Sequence, residues 1–189
     1  MKFEKTNQQD SQRSQNNDGI DPMSSNVDQN QTGSLSSSSL KAIDLRSLRE
    51  LCVKYYNERK WTTEDNDKVE KLFDDLDNEL SNFRLKEAEA PLLKLLKLIN
   101  SFNSELNEVN WEICEVLAKL YERLNEHKKC KAVLEQSLGL KISSLGEKNQ
   151  SYILTLIEYA NCLTMLNETE QANQIFKEAR LLKDESESS

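Results

Sequence analysis

The chain has 189 residues, 37% of them hydrophobic and 31% charged, with only 4 glycines and 2 prolines. So few chain breakers favour helices over a turn-rich β fold. A net charge of −8 excludes docking on a phosphate backbone, which needs clustered Lys and Arg, so no nucleic-acid partner is expected.

Residues 1–38 are mostly Asn, Gln, Ser and Asp, with almost nothing apolar. Such a segment buries too little surface to offset its ordering entropy, and it is predicted to be disordered. It has no hydrophobic core of the kind a signal peptide carries, and its acidic residues speak against a mitochondrial presequence. No apolar run in the chain nears the roughly 18–20 residues of a membrane span. The expected location is therefore cytoplasmic, with cytoskeletal or ciliary association open. Two roles for the arm stay open as well: a tether phosphorylated within SLSSSSLK (34–41), or a plain spacer.

At Leu40 the character changes. Leu45, Leu48, Cys52 and Tyr55 recur at spacings of three and four, which predicts an amphipathic helix over about 40–60. Thr62 and Thr63, followed by Glu64 and Asp65, start a second helix. Its apolar stripe is Val69, Leu72, Phe73, Leu76 and Leu80. Further helices are predicted over about 85–101, 108–124, 127–143, 149–166 and 168–183, joined by the short connections of stacked antiparallel pairs. No segment alternates like a strand. The expected fold class is all-α, with the helical domain over 39–184 and an acidic tail over 185–189.

Laid against itself at a shift of 42 residues, the chain repeats. Ala88, Cys130 and Ala172 coincide, then Leu92, Leu134 and Phe176, then Leu95, Ser137 and Ala179. A small residue lets two helices cross closely, and a large one a turn later fills the adjoining gap. Ala118 coincides with Ala160, Asn107 with Asn149, and Asn125 with Asn167. The last pair stands where a tight inter-helix turn needs a left-handed residue, which Asn tolerates best after Gly.

The stretch LAKLYERLNEHKKCKAVLEQSLGLKISSLGEKNQ, residues 117–150, resembles a tetratricopeptide repeat of the longer, kinesin-light-chain type. The family phrase LA-x-LY-x-x-x-G-x-x-x-x-A is met by Leu117, Ala118, Leu120, Tyr121, Asn125 in place of Gly, and Cys130 in place of Ala. Leu145, Gly146 and Asn149 match its closing turn. The third copy matches through Tyr159, Ala160, Leu163, Asn167, Ala172, Phe176 and Ala179. The first copy is degenerate, and its inter-helix turn reads one residue short. The resemblance implies a right-handed helical solenoid of about three pairs, with repeats near 64–106, 107–148 and 149–184. The helix over 40–60 would be an extra N-terminal element covering the first pair. A polar exterior on the last helix, including Gln171, Gln174 and Lys177, suits a terminal cap.

No catalytic set is present. There is one His, no Gly-rich phosphate loop, and no Ser or Cys in a nucleophile context, so no enzyme, cofactor or small-molecule substrate is expected. Cys52, Cys114, Cys130 and Cys162 form no CxxC pair and read as buried free thiols. His127 and Cys130 stand at helical spacing, but without a second pair of ligands no metal is expected.

The resemblance implies binding on a concave face built by the first helix of each pair. By repeat register, Lys71, Asn78 and Asn82 from the first pair face the groove, beside Asp74 and Ser81. The second pair supplies Glu115, Lys119, Glu122 and Arg123, beside Glu112. The third supplies Leu154, Ile157, Asn161 and Met165, beside Thr164. Lys119 and Arg123 resemble the clamp with which some family members hold a C-terminal carboxylate, but the surrounding carboxylates would repel an acidic peptide. Helix 149–166 is apolar nearly all round. Leu154, Ile157 and Met165 therefore await a partner, unless the helix after them and the pair before them cover them. The implied function is a non-catalytic adaptor or assembly subunit that holds a peptide or helix carrying apolar and basic residues. The alternative is a permanent structural subunit of a cytoskeletal, ciliary or motor complex, packed along its convex side.

Overall fold

The computed structural model describes residues 43–102 and 106–187. The disorder and phosphorylation expected of the N-terminal arm lie outside the described residues. Every described element is a helix: α1 (Arg46–Asn57), α2 (Thr63–Ser81), α3 (Glu89–Phe102), α4 (Asn107–Arg123), α5 (His127–Leu145), α6 (Gln150–Met165) and α7 (Thr169–Glu187). None is long and apolar enough to cross a membrane.

Helices α2 and α6 start at side-chain caps. Thr62 Oγ1 accepts from the Asp65 amide at 3.2 Å, and Asn149 Oδ1 accepts from the Ser151 amide at 2.9 Å. Helix α1 begins at Arg46 rather than near residue 40; Asp44 Oδ1 accepts its first amide at 2.9 Å. Helix α3 is regular only from Glu89, although Ala88 N already donates to Arg84 O at 3.2 Å. Pro91 has no amide to return to the preceding turn, which breaks the ladder where the sequence predicted a helix from 85. At the other end, α7 runs on through Glu187, over residues read as an acidic tail.

The helices pair as α2/α3, α4/α5 and α6/α7, and each pair packs on the next, as a tetratricopeptide-like helical solenoid does. The residues aligned by the repeat are its core. Ala88, Cys130 and Ala172 are buried, as are Leu95, Ser137 and Ala179. One large apolar cluster runs from Leu45 to Ala172, and a smaller one joins Tyr152, Ile153, Leu156 and Ala179. All four cysteines are buried and unpaired. Burial pushes the Cys52 and Cys114 thiols up to about 12.

The turn inside each pair keeps the repeat in strict register. Phe83, Asn125 and Asn167 have φ of 56°, 55° and 62°. In each turn the next amide bonds back five residues: Arg84 to Glu79 O, Glu126 to Tyr121 O, Glu168 to Leu163 O, at 2.8–2.9 Å. These are Schellman closures, which need one left-handed residue. The first turn is therefore not one residue short. It is the same turn with Phe where the others have Asn.

A bulky residue at positive φ stores backbone strain, about 1–2 kcal/mol for a left-handed L-residue. The Phe83 side chain is 86% exposed and returns little packing. Phe83→Gly is expected to raise stability by about 1 kcal/mol in urea denaturation, and Phe83→Asn by less. A loss of stability would mean that the ring carries a contact in solution.

Candidate interaction face

The full-length register moves the first third of the predicted groove. Glu112, Glu115 and Lys119 stand 42 residues after Glu70, Phe73 and Asp77. Lys71, Asn78 and Asn82, named from the turn read as short, each lie one residue too late. All three are exposed, and Asn82 Nδ2 donates to Asn78 Oδ1 at 3.0 Å.

The corrected positions are already occupied. Helix α1 does not only cover the first pair; it packs on both α2 and α4, the first helices of two pairs. The Arg49 guanidinium lies 4.5 Å from the Phe73 ring centroid and donates to Glu70 Oε2 at 3.0 Å and Asp77 Oδ2 at 2.8 Å. Tyr55 OH donates to Glu108 Oε2 at 3.0 Å, and Trp61 stands 5.4 Å from Phe102. At the other end, Asp44 is held down to about 2, chiefly by hydrogen bonds from Arg46 and in small part by Lys119 of α4. Residue 55 beside 108 and residue 44 near 119 make α1 antiparallel to α4, with Leu45, Leu48 and Cys52 in the main core cluster.

At the centre of the face a buried ion pair ties three helices. Lys141 of α5 is 2% exposed. Its Nζ donates to Glu115 of α4, to Ser151 Oγ at 2.8 Å and to Thr155 Oγ1 at 2.9 Å, both of α6. Glu115 Oε1 also accepts from Thr155 Oγ1 at 2.8 Å and from Ser137 Oγ at 3.3 Å. Sequence reading gave Glu115 to a partner. Instead, its carboxylate faces inward and is spent on the fold.

Beside this pair a cleft of about 350 Å³ opens between α4, α5 and α6. Its floor is Ala118, Cys130, Leu134 and Cys162, all buried, and its exposed rim carries Lys119, Glu122, Glu158, Asn161 and Met165. Cys162 Sγ donates to the His127 carbonyl at 3.2 Å. Burial raises the Cys130 and Cys162 thiols. Among the described residues no three His, Cys, Asp or Glu side chains gather to hold a metal ion. Loss of water around Glu158, then repulsion from Glu115, raises its carboxyl above the ordinary 4.5, and Glu112 rises for the same two reasons.

Five of the predicted groove residues, Lys119, Glu122, Asn161, Thr164 and Met165, thus meet in one cleft. Arg123 is half-buried in the last turn of α4. Leu154 stands 54% exposed and Met165 59%, whereas Ile157 is half-buried against the Tyr152 cluster. Glu158 was missed because a carboxylate after two apolar residues reads as solvated surface. The cleft floor had a signal: at Ala118 and Cys162 the second and third copies carry smaller residues than Leu76 and Leu120, aligned with them in the first and second.

No known protein family matches the chain, and none of the curated proteins does. Among solved structures it is similar to BtubC (BKLC) from P. vanneervenii, with a TM-score of 0.53 and 19% identity over 72% of this chain. The match takes in 53% of that protein, so this chain spans about half its length. At such identity the likeness carries the fold, a tetratricopeptide-like helical repeat array, and nothing of its activity.

Proposed function

We propose that the chain is a non-catalytic interaction module that holds a segment of another protein on the α4–α6 part of its face. One observation carries this reading. The α2–α4 part is sealed by the chain's own α1, while the next part is left with an apolar-floored cleft and with Leu154 and Met165 in water. An exposed apolar surface rimmed by polar groups is the usual mark of a partner site. The carboxylates there favour a partner with basic as well as apolar residues.

The test is a pull-down with the full chain beside its Leu154→Glu variant, with circular dichroism on both. Leu154 is exposed, so helicity is expected to be unchanged while bound partners fall at least tenfold. A second reading, a subunit packed permanently along the outer helices, draws on Leu93 of α3 and Leu181 of α7, which are 43% and 55% exposed. Partners kept by Leu154→Glu and lost by Leu181→Glu would favour that second reading over the first.

A further inference from the structure

The chain's own α1 is a helix seated between two successive first helices of the array, α2 and α4. Shifted by 42 residues, the cleft residues Ala118, Glu122, Leu134, Glu158 and Cys162 fall on Leu76, Leu80, Leu92, Val116 and Leu120. Helix α1 lies against α2 and α4, which carry four of those five residues. Arg49 sits between Glu70 and Asp77 over Phe73, and Tyr55 donates to Glu108. An amphipathic helix with an arginine on its buried edge therefore fits between successive first helices of this array.

The α4–α6 groove repeats that seat with two changes. Its floor is lowered, with Ala118 for Leu76 and Cys162 for Leu120, and its walls carry Glu122 for Leu80 and Glu158 for Val116. The resulting cleft of about 350 Å³ is at the low end of ligand pockets, which run roughly 300–1,000 Å³, so it suits inserted side chains better than a whole small ligand. Its charge is one-sided. With Lys141 of α5 committed to Glu115, the opening keeps Glu122 from α4 and Glu158 from α6 against Lys119, with His127 at the edge. An apolar floor below carboxylates is complementary to a lysine or arginine, whose stem packs on apolar surface while its head pairs with acid.

We infer that the α4–α6 groove takes an amphipathic helix of a partner protein, with a central Arg or Lys entering the cleft between Glu122 and Glu158, further along the groove than the Glu70–Asp77 seat that Arg49 takes on α2. This rests on the reading of that face as a binding surface. The raised carboxyl of Glu158, caused first by loss of water and then by repulsion from Glu115, agrees with it, since a cation arriving there favours the charged carboxylate.

The probe is a fluorescein-labelled peptide of residues 43–57 carrying Cys52→Ser, titrated with the full chain and followed by anisotropy, beside the same peptide with Arg49→Glu. The arginine peptide is expected to bind at least tenfold more tightly. A Glu122→Lys, Glu158→Lys double variant is expected to reverse that preference. Glu158→Gln alone is expected to weaken binding severalfold without lowering the melting temperature. Equal affinity for the two peptides, no binding, or indifference to the lysine variants overturns the inference. Loss on Asp77→Asn but not on the cleft variants also overturns it, because the probe is then exchanging with α1 at its own seat. If native partners still depend on Leu154 while the peptide fails, the ligand class falls and the interaction module stands; if Leu154→Glu keeps every partner, the module itself falls.

Discussion

Replacing Lys141 by Met is expected to lower the free energy of unfolding by about 3–5 kcal/mol, the cost of breaking a buried ion pair from one side. The side chain is 2% exposed, and its ammonium is shared among Glu115, Ser151 and Thr155. Without it Glu115, 15% exposed, keeps two hydroxyl donors and loses its only buried cation among the described residues. That is the expensive half of the exchange. Converting the partner as well, with Glu115→Leu on Lys141→Met, removes the stranded charge and is expected to recover most of the loss, because an apolar pair of similar volume is often neutral. The double-mutant cycle in urea should then give a coupling of about 2 kcal/mol or more. A single-variant cost below about 1 kcal/mol, the figure for exposed pairs, would show that water reaches the cluster.

Lys141 also marks where sequence reading stopped. The seven helices of the described residues, their order and most of their ends were legible, because apolar stripes, Thr62 and Asn149 caps and Asn125 and Asn167 turns each have a local physical cause. Phe83 has none: nothing in an aromatic residue announces a left-handed turn, so the first copy looked short and its groove residues slid by one. A lysine in LKISSLG reads as surface, since burial of its charge depends on a glutamate 26 residues away. The repeat did hold a clue, because Lys141 aligns with Ile99, which is fully buried. The placement of α1 was out of reach for another reason. An amphipathic stripe says that a face is buried and not against what; the choice of the α2–α4 groove is made by Arg49 meeting Glu70 and Asp77, a contact across 21 and 28 residues.

Phe73→Ala is expected to cost about 3–5 kcal/mol as well, the range for emptying an aromatic from a close-packed core. The ring is fully buried in the main cluster, with the Arg49 guanidinium on its face. The loss should therefore reach α1, and trypsin should cut the variant at Arg49 under conditions where the parent resists. Ile157 provides the control, because Phe73, Glu115 and Ile157 are one position of the repeat. Ile157→Ala, half exposed from the start, is expected to cost less than about 2 kcal/mol, below the buried series. Equal costs would mean that α6 is as well covered as α2, leaving no uncovered surface at the end of the array. The expected inequality has a structural source. The same position is closed by α1 over Phe73 and by Lys141 over Glu115, and at Ile157 it is closed only halfway by the chain's own neighbours. A repeat that loses its internal cover on passing along the array presents its unsatisfied face at α6, beside Leu154 and the acidic cleft.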